Sequence, residues 1–287
     1  MKIREHEEKL YYHYCSVNTF VKIIENSTIR ASNPFKMNDT QEFKWLFKFI
    51  PEVIESYVSV LTDEKQKEQY KYFYIETLTE IYEGYYSEQV NPYIACFSEE
   101  GDILSQWRSY ADNSRGVAIG FSLEEFKKHQ LIEIININYD LKQQKELLLQ
   151  ALIDFGLEDP TNLNFDRMKH VFTAATIAIE HILDKSIYCK NPAFSEEKEV
   201  RLVYNPEKYS PFNQEQSQLI VSDIQFRNDN EKLISYYDIN FSEFKKEVVK
   251  EIYIGSNSKL NDRDLTLFLE KNGYYNLEIK SSASTYR

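Results

Sequence analysis

Hydrophobic and polar positions along the chain fall into short runs whose period alternates between that of a strand and that of a helix. Leu10 to Cys15 (LYYHYC) is aromatic and β-prone. Ser16 behind it is a good N-cap for a helix carrying Phe20, Ile23 and Ile24 on one face. Thr28 to Ser32 (TIRAS) reads as a strand ended by Asn33-Pro34. After a polar loop, an amphipathic helix is predicted from near Gln41. Residues 52–89 then read as helical throughout, with Tyr70, Phe73, Tyr74, Thr77, Leu78 and Ile81 at three- and four-residue spacing. Tyr93 to Ser98 (YIACFS) and Gly116 to Phe121 (GVAIGF) read as buried strands with a helical turn, ILSQWRSYAD, between them. Ser122-Leu-Glu-Glu125 has the pattern of a capping box opening a helix. A strand over 131–139, a helix from Asp140 to Gly156 and a helix from about Asp166 to Lys185 follow.

The last third is mostly β in pattern: Glu199 to Tyr204, Ser217 to Phe226, Leu233 to Phe241, Glu251 to Gly255 and Asn276 to Ser281, with one helix from about Leu260 to Asn272. Strands and helices are segregated rather than strictly alternating, which predicts an α+β fold on a mixed or antiparallel sheet. Nothing rich in Pro or Gly splits the chain, so 1–287 reads as one domain, with a helical insertion at about 52–90 and a second helical segment at about 140–186.

Composition narrows the chemistry. With 34 Lys+Arg against 46 Asp+Glu the net charge is −12, which argues against nucleic-acid binding through a broadly basic surface. Only 7 of 287 residues are Gly, none arranged as a dinucleotide fingerprint or a P-loop. A nucleotide would therefore be held by side chains. The 22 Tyr and 18 Phe also fit an AT-rich coding bias, alongside abundant Lys, Ile and Asn. Three scattered cysteines, Cys15, Cys96 and Cys189, make neither a disulfide framework nor a C-x-x-C zinc pattern. No apolar run reaches the ~18 residues of a membrane span and no leader pattern is present, so a cytoplasmic protein without a membrane partner is the expectation.

Four polar clusters stand beside predicted strands. In Tyr12-His13-Tyr14, alternation sets His13 on one face and both tyrosines on the other; the histidine is either a site residue or a satisfied core residue. Asn38, Asp39 and Glu42 crowd a loop before a helix, as caps or as a polar site. Trp107, Arg108 and Tyr110 combine a phosphate-binding guanidinium with flat rings. Glu197 and Glu199 stand two apart at the head of a strand; if the chain is extended there, both carboxylates point the same way, and one can take a raised pKa for acid–base work. A solvated acidic loop paired with Lys198 or Arg201 is the other reading. The motifs of zinc hydrolases, serine hydrolases and base deaminases are missing.

Asn38-Asp39-x-x-Glu42, Trp107-x-x-Tyr110, Gly116-Val-x-Ile-Gly-Phe121 and Glu197-x-Glu199-x-Arg201, in that order, resemble a bacterial family known as domain of unknown function 2971. The opening strand with His13, the helix 18–25 and the strand 28–32 are also similar to the start of ADP-ribosyltransferase-like domains, as is EEKEV to their Glu-x-Glu-Val. That second resemblance implies an ADP-ribosyltransferase-like sheet and NAD as substrate, with no metal. Glu199 would hydrogen-bond the nicotinamide-ribose 2′-hydroxyl and stabilise the oxocarbenium ion, and Glu197 would orient or deprotonate the acceptor. His13 would bind the adenosine ribose and Trp107 or Tyr110 would face the nicotinamide, with Tyr14, Arg108 and Arg201 lining the nucleotide site. A protein or nucleic-acid acceptor and a bacterial defence or toxin setting, such as antiviral defence, belong to the same analogy. The Ser-Thr-Ser strand of the arginine-directed group is missing. Two alternatives stand beside it: a Mg²⁺-dependent phosphodiesterase or nuclease using Asp39, Glu42 and Glu199, and a non-enzymatic nucleotide sensor or partner-binding protein.

Overall fold

The computed structural model describes residues 8–34, 44–85, 92–155, 157, 171–206, 220–229 and 232–284, in two compact units. One comprises 1–33, 92–136 and 196–287 and holds the sheet; the other comprises 34–91 and 137–195 and is helical.

In the sheet unit, β1 (Leu10–Cys15) leads directly into α1 (Val17–Asn26). The Ser16 hydroxyl accepts from the Thr19 amide at 3.3 Å, supplying the cap that the sequence promised, and α1 buries Phe20, Ile23 and Ile24. The helix stops at Ser27 (φ 50) and turns into β2 (Thr28–Ser32). Four strands form one wing. β1 pairs antiparallel with β4 (Val117–Ser122), from Leu10↔Ser122 to Cys15↔Val117. Next, β4 pairs with β9 (Val249–Ile254), and β9 runs parallel to β10 (Glu278–Ser281). The other wing is β2, β8 (Lys232–Asn240) and β7 (Gln225–Asp229), all antiparallel.

The wings meet on β3 (Tyr93–Ser98). One end of β3 touches β1 at Tyr12↔Ser98, the other touches β2 at Ser32↔Ile94, and its opposite edge pairs along its whole length with β6 (Glu199–Tyr204). Beyond β6 lies β5 (Ile132–Asn136). The result is an open, mixed and mostly antiparallel sheet that forks at β3, so the α+β expectation holds. One face carries the main core, including Phe20, Ile24, Ile29, Phe97, Ile119, Phe121, Leu202, Ile239, Phe241 and Ile252. A terminal helix packs on it through Leu265 and Leu269: α7, Asp262–Lys271, counted after the helices given below.

The helical unit contains α2 (Ile50–Tyr57), α3 (Glu64–Tyr85), α5 (Leu141–Phe155) and α6 (Val171–Ser186), with α4 (Leu104–Ser109) belonging to the sheet unit. Its separate core is built from Leu46, Ile54, Tyr70, Tyr74, Leu78, Leu148, Leu152, Ile179 and Ile182. Buried Gln144 fixes the start of α5: it accepts from Trp45 Nε1 at 2.7 Å and donates to the carbonyls of Asn138 and Lys190 at 2.6 and 2.8 Å.

Three local expectations change. The helix read through 52–89 is broken at Leu61–Asp63, where Asp63 caps α3 through the Lys65 and Gln66 amides. Ser122 ends β4 and its hydroxyl bonds to Glu8, so the apparent capping box opens only a single 3-10 turn, Phe126–Lys128. The strand expected over 217–226 begins at Gln225 among the described residues.

Candidate functional site: a polar row on the far face of the sheet

Register decides which side chains can meet, because directly paired residues share a face. Glu251 on β9, Gly120 on β4, Tyr12 on β1, Ser98 on β3 and Glu199 on β6 form one cross-strand row. They occupy the face opposite the main core, and Cys96 and Arg201, paired with each other, are two residues along on the same face. His13 pairs with Ile119 and therefore points to the core side. Its ring lies 5.8 Å from Phe97 and its Nδ1–H donates to the Cys96 carbonyl at 2.9 Å. Burial lowers its pKa below the ordinary histidine value, so it stays a neutral packing residue near pH 7. The alternation expected for Tyr12-His13-Tyr14 is thus present, and it puts His13 and Glu199 on different faces.

Glu199 and Arg201 are buried at 6% and 0% exposure. The guanidinium donates from Nε at 2.6 Å and from Nη2 at 3.2 Å to the two carboxylate oxygens of Glu199, a bidentate pair. Burial pulls the Arg201 guanidinium down to about 9, which leaves it charged at neutral pH. Desolvating two ions costs several kcal/mol that their attraction only partly offsets, so hydrophobic residues of similar size would hold a strand at least as well. A buried pair at the head of β6 is thus a candidate for a job other than stability.

Glu197 is also buried, at 8%, yet it does not continue the strand. It closes a 3-10 turn, Pro192–Glu197, and Lys198 between the two glutamates has φ 44, in the left-handed region. The extended geometry assumed for the pair is replaced by a turn. Ser98 holds it: its hydroxyl donates to the Glu197 carbonyl at 2.7 Å and accepts from the Glu100 amide at 3.2 Å.

The aromatic candidates are used otherwise. Trp107, fully buried, packs with Tyr14, Ala111 and Ala118 and donates Nε1–H to Asp102 at 2.6 Å. The Tyr14 hydroxyl donates to the Glu100 carbonyl at 2.8 Å and accepts from the Ile103 amide at 2.9 Å. Both rings are committed to fixing the 99–107 segment over the sheet. Arg108 and Tyr110 sit at the exposed end of α4, so they do not join Trp107 in one pocket wall. Asn38, Asp39 and Glu42 lie outside the described residues.

Sequence reasoning passed over Glu251 and Lys280 and gave Tyr12 a face but no role. Glu251 is 4% exposed; it accepts from the Tyr12 hydroxyl and from Lys280 Nζ, each at 2.7 Å. A signal was present: a carboxylate at the head of the apolar run EIYIG. Gly120 makes room for it, since a Cβ there would stand 2.6 Å from Glu251 Cγ.

Among the described residues no group of three or more His, Cys, Asp or Glu is arranged to hold a metal ion, and no helix is long and apolar enough to cross a membrane. Residues 106–202 match the model of a family described as protein of unknown function (DUF2971). That span takes in Trp107, Arg108, Tyr110, Glu197, Glu199 and Arg201 and leaves out His13 and Tyr14. No curated protein and no solved structure matches the chain.

Proposed function

For a chain that carries a DUF2971 region, we propose a nucleotide-handling enzyme of ADP-ribosyltransferase-like chemistry, with NAD as substrate and Glu199 as its central carboxylate. One observation supports the reading above the others: Glu199 is buried and clamped by an adjacent guanidinium. A carboxylate held in place by a guanidinium suits electrostatic stabilisation of a ribosyl cation. In the proposed step the bond from ribose C1′ to the nicotinamide nitrogen breaks and its electron pair leaves with nicotinamide. The cation at C1′ is stabilised by Glu199. Water or an acceptor then attacks C1′ and gives its proton to Glu197. His13 has no part in this site, because it serves the opposite face.

Incubation with NAD tests the reading directly. The wild-type chain releases nicotinamide, and Glu199→Gln lowers the rate by about 10²- to 10³-fold, the usual cost of removing one electrostatic stabiliser. Release no faster than that of the Gln variant overturns it.

Arg201 also disfavours a divalent cation at Glu199, since its positive charge lies against both oxygens. The same fixed pair also fits one second reading, a nucleotide sensor without turnover. It predicts that NAD raises the melting temperature while no nicotinamide appears.

A further inference from the structure

The turn between the two glutamates is held by three ties to residues 98–100. Besides the Ser98 hydroxyl on the Glu197 carbonyl, the Glu99 amide donates to the Lys198 carbonyl at 3.0 Å, and Lys198 Nζ reaches Glu100 Oε1 at 2.8 Å. Ser98, the anchor of this clamp, is 1% exposed and lies in the same cross-strand row as Glu199. Lysine has no intrinsic preference for the left-handed region, and a side chain kept there signals constraint by its surroundings. The backbone has a direct effect on the chemistry. With Lys198 extended, Glu197 and Glu199 would lie on one face of one strand; with Lys198 left-handed, Glu197 leaves the strand while Glu199 begins it.

We propose that Lys198 is the positioning residue of the site: its left-handed backbone, locked by Ser98–Glu100, sets the two carboxylates in separate positions, one for the ribosyl cation and one for the attacking group. The inference rests on the reading of Glu199 given above. It assigns the positioning to the main chain of Lys198 and makes the ammonium group a secondary tie.

The experiment uses the full chain and compares Lys198→Gly, Lys198→Val and Lys198→Ala in nicotinamide release from NAD, with hydrogen exchange at the Glu99 and Glu100 amides followed in parallel. Glycine enters the left-handed region without steric cost, so Lys198→Gly rescues the geometry and keeps kcat within about threefold of wild type. A β-branched residue resists that region, so Lys198→Val lowers kcat by about 30-fold or more and changes the KM for NAD by less than about threefold. Lys198→Thr, also β-branched, carries the comparison if the valine variant does not fold, and Lys198→Ala, which meets the same backbone restriction as lysine and loses only the ammonium, keeps kcat within about threefold of wild type. Protection of the Glu99 amide is kept in Lys198→Gly and lost in Lys198→Val. Equal kcat in the glycine and valine variants overturns the proposal, as does a β-branched variant with wild-type kcat or an alanine variant that loses as much as the valine one, which would place the effect in the ammonium group. If the wild-type chain releases no nicotinamide, the enzymatic reading falls. Amide exchange then decides the clamp alone: wild-type protection at Glu99 in the valine or threonine variant overturns it.

Discussion

Arg201 is a guanidinium with no exposed surface, and its removal takes away the bidentate partner of buried Glu199. Arg201→Leu is therefore expected to cost about 3–5 kcal/mol in urea unfolding, the range for breaking a buried pair by one partner. The double variant with Glu199→Leu recovers that loss in full or nearly so. At His13 the sign of the pH effect follows from its lowered pKa. As pH falls below the ordinary histidine value of about 6.5, the unfolded chain takes up a proton that the folded chain resists. Stability is fully present above that pH and declines below it, by at most about 1.4 kcal/mol per pH unit for one proton. Unfolding measured at pH 7 and at pH 5.5 shows a smaller difference for His13→Gln than for wild type. His13 and the Glu197–Glu199 pair show what one-dimensional reading does well and where it stops. Alternation assigned His13 and the two tyrosines to opposite faces, because the period of a strand is written in its sequence. The separation of Glu197 from Glu199 was not legible, because nothing about a lysine announces a left-handed backbone.

The elements with strong local signals formed nearly as expected. Strand β6 has the boundaries its pattern predicts, and α1 starts where Ser16 can cap it. Elements that owe their role to distant partners were opaque: the Tyr12 hydroxyl finds Glu251 across 239 residues, a contact that only strand order creates. The rarity of Trp107 suggested a stacking surface, whereas its burial against Tyr14 and its bond to Asp102 make it a packing residue. Strand β10 carries a second pH effect. Hydrogen bonding to Glu251, strengthened by Glu278 and opposed by burial, raises the Lys280 pKa, so its contribution is complete at neutral pH and lost only at strongly alkaline pH. Lys280→Met flattens the alkaline end of the stability curve. Gly120→Ala drives a methyl group against Glu251 and Tyr12 and is expected to destabilise by about 1–3 kcal/mol, read from the shift in urea midpoint.

At the scale of the whole sheet unit, the segment after β10 is tied back to the middle of the chain. Asp102 accepts from the Ser282 hydroxyl and, at 2.8 Å, from the Ala283 amide, while also holding Trp107. Ending the chain at Ser281 is expected to lower the melting temperature by a few degrees, roughly the effect of 1 kcal/mol or less in a protein of this size, and to speed amide exchange across 99–107. Unchanged exchange there would show the tie to be ornamental. The fork at β3 has a consequence for how the protein is made. Strands β1 to β4 leave the ribosome first, but β6, β8 and β9, which cover the open edges of β3, β2 and β4, are encoded only after residue 198. During synthesis most of the chain must wait with three unpaired strand edges showing, a state prone to aggregation until the last third arrives. Ribosome-stalled chains halted at residue 198 are accordingly expected to engage holding chaperones, and chains released at full length to let go of them.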